Sequence, residues 1–210
     1  MGNTLDYWDR VAEQKTFTHP LHAAWLTRWV KPDAHILDYG CGYGRVLHDL
    51  VGLGFANAVG VDRSALMIER GRREHPGLDL RVIDEPPLPE QSFDLVLLFA
   101  VLTCIASDEA QSHLLAELFR LLRPGGLLYL SDMPLQTDAR NRARYNAGVR
   151  RFGTYGVFEI DDGAVLRHHA DDHFEALLAA FEPVETAAIE ITTMNGHPAT
   201  AVQRLVRRPA

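Results

Sequence analysis

From residue 34 to residue 132 the chain alternates short apolar runs with helical patterns, and this rhythm restricts the fold more than any other feature. The runs His35–Tyr39, Ala58–Val61, Leu80–Ile83, Leu95–Phe99 and Leu127–Leu130 read as strands. Helical patterns near 43–52, 64–74 and 108–122 separate them. Asp108 is the expected N-cap of the last one, and Pro124-Gly125-Gly126 its stop. Parallel strands cannot be joined by tight turns and need crossover connections. Strand–helix alternation at this spacing therefore predicts α/β architecture with a parallel, doubly wound sheet. After Leu130 the rhythm breaks. Residues 134–170 show weak periodicity and many Arg, Asp and Gly. A helix is expected at 172–181, then strands at 184–193 and 199–206 joined through Asn195-Gly196, a strong hairpin signal.

Composition bounds the class of protein. A chain of 210 residues with 47% hydrophobic content fits one domain, which buries about 70% of its unfolded surface. The longest apolar run, Leu95–Leu102, is far short of the roughly 20 residues of a membrane span. The opening MGNTLDYWDR is polar and acidic, unlike a signal peptide. Cys41 and Cys104 are the only cysteines and form no CxxC pair. A protein of the reducing cytoplasm, away from membranes, is the expectation. A net charge of -7 argues against a nucleic-acid partner. Oligomeric state is left open.

A glycine-rich turn follows the first strand. ILDYGCGYGRV runs from strand to helix through Gly40, Gly42 and Gly44, and such glycines let the main chain turn sharply and approach a ligand. The dinucleotide fingerprint G-x-G-x-x-G needs a third glycine where this chain has Arg45, so that fingerprint fails, though an NAD-dependent reductase stays open as a minor alternative. Asp62 ends the second strand in VGVD, where a carboxylate can accept hydrogen bonds from both hydroxyls of a ribose.

DYGCGYG, VGVD, SFDLVLLFAVLTCI and LFRLLRPGGLLYLSD, in that order, resemble the successive motifs of class I S-adenosylmethionine-dependent methyltransferases. The resemblance covers about residues 34–132 and extends to a seven-stranded, Rossmann-like plan whose last strand pair matches the Asn195-Gly196 hairpin. It implies one methyltransferase domain over 1–210: an N-terminal cover (1–30), a cofactor-binding core (34–132), an acceptor lid inserted after the fifth strand (134–170), and a C-terminal helix and hairpin (171–206). It also implies S-adenosylmethionine as cofactor and S-adenosylhomocysteine as product. Asp38, Gly40, Cys41 and Gly42 would surround the methionine part and Asp62 would hold the ribose. Ile83, Asp84 and Glu85 would flank the adenine, with Phe99 and Ala100 beneath the sulfonium.

Departures from the family narrow the acceptor. The Asn/Asp-Pro-Pro-Tyr motif of enzymes that methylate nucleic-acid amino groups is replaced by FAVLTC, and the acidic metal cluster of catechol-type enzymes is missing near Asp108. Cys104 stands where many relatives carry histidine and reads as a small buried thiol. Cys41 at a helix start could have a lowered pKa, but reads as a small residue where bulk would clash. The expected reaction is methyl transfer to oxygen or nitrogen of a small molecule, in natural-product or secondary metabolism. The alternative is a protein that binds the cofactor without methylating, as a regulatory module, lyase or cyclase.

The acceptor site should lie beyond the carboxyl ends of the strands. Tyr7, Trp8, Phe17 and His19 of the N-terminal segment and Tyr145 and Tyr155 of the lid are its candidate contacts. Arg140, Arg142, Arg144, Arg150 and Arg151 are either a solvated helix face or, in part, ligands for an acceptor carboxylate or phosphate. VLRHHADDHF places His168 and His169 side by side, with His173 beyond. Adjacent residues of an extended segment point to opposite faces, so the pair is ill suited to share a metal ion, and none is expected. FEIDDGAVLRHH reads as a hairpin turning at Asp161-Asp162-Gly163, with Asp171 or Asp172 capping the helix that follows. One imidazole should then face the acceptor as a candidate base, His169 being the preferred one over His168, unless both are structural.

Overall fold

The computed structural model describes residues 4–83 and 87–210, with nothing said of the side chains of Thr4 and Leu5. The chain begins with two helices, α1 (Thr4–Val11) and α2 (Ala23–Trp29). The alternating unit follows: β1 (Ile36–Tyr39), α3 (Arg45–Gly52), β2 (Ala58–Asp62), α4 (Ala65–Glu74), β3 (Asp79–Val82), β4 (Phe93–Phe99), a short 3-10 turn at Leu102–Cys104, α5 (Asp108–Leu121) and β5 (Leu122–Asp132). After it come α6 (Ala139–Phe152), β6 (Val157–Glu159), β7 (Val165–Arg167), α7 (Asp171–Leu177), β8 (Glu182–Thr192) and β9 (Pro198–Arg207). Seven strands form one sheet in the order β3-β2-β1-β4-β5-β9-β8, while β6 and β7 pair separately. Strands β1 to β5 are parallel, and β9 runs antiparallel to both β5 and β8. This is the doubly wound parallel sheet the strand–helix rhythm predicts, completed to the seven-stranded, Rossmann-like plan the resemblance implies.

The strands alternate because each successive side chain changes face. Ile36, Leu95, Leu97, Leu127, Tyr129 and Leu205 enter a core shared with Leu26, Leu47 and Ile68. Their neighbours Leu37, Val96, Leu98, Leu128 and Val206 enter a second core with Leu115, Leu118 and Phe174. Both faces are thus covered, as a parallel sheet requires. Between β1 and β4 the crossovers diverge to opposite sides of the sheet, and the crevice of such a fold opens at that point.

Three local expectations are corrected. Ser107, not Asp108, caps α5, its hydroxyl accepting from the Ala110 N–H at 3.3 Å. Neither Asp171 nor Asp172 caps α7, whose N-cap is Ala170; both acids lie in the first turn, and the helix stops at Leu177 instead of 181. Residues 139–152 form a fourteen-residue helix where periodicity was weak. Asp138 caps it through the Asn141 N–H at 3.0 Å, and Gly153 ends it at φ +77°. The helix buries only Asn141, Tyr145 and Gly148, so it carries no apolar stripe to read. The 158–169 hairpin forms as expected, Gly163 taking φ +91° at its turn.

Candidate active site

A cavity of about 1430 Å³ opens at the carboxyl ends of the parallel strands. That exceeds the roughly 300–1,000 Å³ of a typical single-ligand pocket and leaves room for two molecules side by side. Asp38, Gly40, Cys41, Gly42, Asp62, Ile83, Phe99 and Ala100 all line it. Asp84 and Glu85 fall outside the described residues. The N–H groups of Gly40 and Cys41 donate to the Val61 carbonyl at 2.8 and 3.0 Å, folding the glycine turn back onto β2. Gly40 sits at φ +76° and Gly42 at φ +55°. A Cβ on Gly42 would lie 2.2 Å from the Phe17 ring, so the aromatic and the glycine require each other.

The acids at this end differ in how they are satisfied. Asp62 accepts from the Gly42 N–H at 2.9 Å through one oxygen and from the Ser64 N–H at 2.8 Å through the other. These bonds fix the carboxylate plane while each oxygen keeps acceptor capacity. Burial still holds its pKa above the usual range, with the backbone N–H groups opposing. Asp38 is buried with one carboxylate oxygen that has no partner. Burial pushes it up to about 7, Arg45 opposing and Asp62 assisting. A lowered thiol pKa for Cys41 is overturned: burial, then Asp38 and Asp62, push it well up. Its sulfur lies where a Cβ on Gly60 would come within 2.9 Å, the fit of a small residue.

The remaining wall is formed by Trp8, Phe17 and His19, with Phe17 against the glycine turn, and by the segment after β5, through Arg140, Arg144, Phe158, Leu166 and His168. Phe17 stacks on Tyr43 at 5.3 Å, with Trp8 edge-on to it at 5.9 Å. His19 Nδ1 lies 2.9 Å from Ser131 Oγ, and burial pulls its pKa to about 4. The other three aromatic candidates are not on the wall. Tyr7 donates to Asp162 at 3.0 Å. Tyr145 is buried, and Tyr155 is exposed and packs edge-on against it at 5.3 Å.

The two histidines part company because β7 ends beside two different carbonyls. The His168 N–H donates to Gly156 O and the His169 N–H to Met133 O, both at 2.9 Å. His168 takes the cavity wall, with Nδ1 2.6 Å from Tyr145 Oη. His169, the preferred candidate, faces away: its Nε2 lies 2.8 Å from Gln111 Nε2 and its Nδ1 3.3 Å from Met133 O. The Gln111 amide must donate, so Nε2 accepts and Nδ1–H donates to the carbonyl. Burial pulls His169 to about 3 and His168 well below its ordinary value. Both are neutral at pH 7, and the corrected cleft-facing residue is His168. Sequence reasoning gave no site role to Thr103, Met133 or the Met194-Asn195 tip of the β8–β9 hairpin, which also line the cavity. Among the described residues no group of His, Cys, Asp or Glu could hold a metal ion.

Residues 37–130 match the family model described as a methyltransferase domain. A protein of Mycolicibacterium smegmatis described as a probable S-adenosylmethionine-dependent methyltransferase is 35% identical over 64% of this chain and 56% of its own length. The eEF1A lysine and N-terminal methyltransferase of Bos taurus is 28% identical over 90% of this chain but 30% of its own. This chain thus spans about a third to just over half of these relatives. A solved S-adenosylmethionine-dependent methyltransferase from Methanosarcina mazei superposes with a TM-score of 0.79 at 22% identity, covering 88% of this chain and 96% of that one.

Residues 37–130 form a methyltransferase domain of the S-adenosylmethionine-dependent kind.

S-adenosylmethionine is the cofactor of this methyltransferase family, and the residues present fit it. The orphaned oxygen of Asp38 suits a buried ammonium, which is what the methionine part offers. The remaining lone pairs of Asp62 suit a ribose diol. Phe99 and Ala100, at the carboxyl end of β4, also line the cavity, and Ala100 holds φ +55°, unusual for a residue with a side chain.

Proposed function

We propose that this chain transfers a methyl group from S-adenosylmethionine to an oxygen or nitrogen of a small-molecule acceptor, in natural-product or secondary metabolism. The observation that carries this reading is the cavity itself. Beyond the residues that would hold the cofactor it continues between Trp8, Phe17 and the α6–β7 segment, enclosed enough for a small molecule. The segment would act as a lid over the acceptor. When bound, the cofactor's sulfonium supplies the electrophilic methyl group. The chain's own contribution is approach and exclusion of water: Asp38 and Asp62 would anchor the cofactor, and Phe17 and Trp8 would cover it. Holding a nucleophile roughly 3–3.5 Å from the methyl carbon accounts for much of such a rate.

His168 would orient the acceptor instead of deprotonating it. Gln136 N–H at 3.1 Å and the Arg144 guanidinium both donate to Tyr145 Oη and fill its two acceptor positions, which directs the tyrosine proton to His168 Nδ1. Nε2 then carries the ring proton, and a neutral N–H is a donor.

The test has two steps. Calorimetry with S-adenosylhomocysteine should show binding, and NADH none. Isotope from methyl-labelled S-adenosylmethionine should then enter the low-molecular-mass fraction of a cell extract. Label entering only the protein fraction would replace the small molecule by a protein acceptor, and binding without transfer would favour the regulatory, lyase or cyclase alternative.

A further inference from the structure

The arginines of α6 divide cleanly. Arg151 pairs with Glu159, while Arg142 and Arg150 are exposed away from the cavity wall. Arg140, which is also exposed, and Arg144, one helical turn apart, share the face that lines the cavity. Neither takes part in the ion pairs formed among the described residues. Two like charges at that spacing destabilise a helix unless something compensates them. The Arg144 guanidinium lies 3.6 Å above the Phe158 ring, half-buried, and bonds the Tyr145 hydroxyl, while its Nε is buried without a partner. His168 faces the same space, Nδ1 being engaged by Tyr145 and the opposite edge of the ring turned to the cavity.

The nearby acids are already used. Asp138 caps α6 through Asn141, Glu159 holds Arg151, and Asp162 holds Lys15 at 2.7 Å and the Tyr7 hydroxyl. Asp161, exposed at the hairpin turn, lines the outer part of the cavity and is left to solvent. Three donors therefore line one part of the cavity, two of them cations that feel Asp138 at a distance and form no close ion pair with it.

We propose that the acceptor carries an anionic group, carboxylate or phosphate, received by Arg140, Arg144 and the Nε2–H of His168. Guanidinium groups present planar forks of N–H donors that match such oxyanions, and stacking on Phe158 holds one fork in place. The phosphate or carboxylate would fix the far end of the acceptor, setting its nucleophile toward the cofactor end. This assignment rests on the methyl-transfer reading, and the experiment separates the two.

The protein is first saturated with S-adenosylhomocysteine by calorimetry. Three matched pairs are then compared by ligand-observed NMR and calorimetry: benzoate with benzamide, indole-3-acetate with indole-3-acetamide, and phenyl phosphate with phenol. At least one anion should bind at least about tenfold tighter than its neutral partner. Whether the carboxylates or the phosphate lead assigns the acceptor's group. The preference should weaken in Arg140→Gln and vanish in Arg144→Met, which keeps an apolar stem on Phe158, with the affinity for S-adenosylhomocysteine unchanged in both. The proposal is overturned if no anion is preferred, silence from every probe included, or if the preference survives both substitutions. Failure to bind S-adenosylhomocysteine at the outset would instead remove the methyl-transfer reading, and this inference with it.

Discussion

At the scale of single residues the site is built from groups that the fold leaves partly unsatisfied or deliberately engages. Asp62 bonds two backbone N–H groups and would still accept from a ribose. Hydrogen bonds to a charged acceptor are worth about 1.5–3 kcal/mol each. Asp62→Ala should therefore weaken binding of S-adenosylhomocysteine by more than about tenfold in calorimetry. An unchanged dissociation constant would remove Asp62 from the cofactor site. His169 carries a different expectation, because both ring nitrogens are engaged away from the cavity. His169→Ala removes these two buried side-chain bonds, although Met133 O keeps the residue's own backbone N–H and Gln111 its bonds to Leu102 O and Ile105 O, a loss of about 1–3 kcal/mol in urea unfolding. Its affinity for S-adenosylhomocysteine should not move. A weaker cofactor with undiminished stability would return His169 to the site.

At the scale of elements the decisive contact joins α6 to β6. A Cβ on Gly148 would stand 1.9 Å from the Val157 carbonyl oxygen, so helix and strand meet backbone to backbone. Gly148→Ala should push α6 off the β6–β7 hairpin and separate Arg144 from Phe158, at a cost of about 1–3 kcal/mol or more. Hydrogen exchange should accelerate across residues 139–167, while the exchange of β1 to β5 stays as in the parent protein. Acceleration in the central sheet as well would mean that the segment is integral to the core and not an independent wall. No helix among the described residues is long and apolar enough to cross a membrane.

At the scale of the whole molecule, buried titratable groups pull stability in opposite directions with pH. His19 and His169, held at about 4 and about 3, and His168, held lower than usual, stay neutral in the fold while the unfolded chain takes up protons below pH 6.5. Acidification from 6.5 toward 4 therefore costs stability through them. Asp38 and Asp132, raised to about 7 by burial, behave the opposite way. Between pH 7 and their unfolded value of 3.8 the fold binds a proton that the unfolded chain does not, so acidification favours the fold through them. Asp132→Asn deletes one such compensating group. The drop in thermal midpoint between pH 6.5 and 4.5 should be steeper in this variant than in the parent, and an equal or shallower drop would show that Asp132 is ionised in the fold.

The sequence alone determined what is local and periodic. Strand–helix alternation prescribes the parallel sheet, because crossovers are the only way to join parallel strands, and DYGCGYG and VGVD put the glycine turn and Asp62 at strand ends by spacing alone. Asn195-Gly196 specified the last hairpin through its turn chemistry. What only the tertiary structure decided depends on partners distant in the chain. α6 has no apolar stripe because it packs through Gly148 and Tyr145 onto β6 and β7, which pattern reading cannot see. The choice between His168 and His169 is a matter of which carbonyl, Gly156 or Met133, each backbone N–H reaches, and alternation says only that they differ. Likewise, five arginines look alike in sequence. The turn of one helix and a single phenylalanine beneath it set Arg140 and Arg144 apart from the rest.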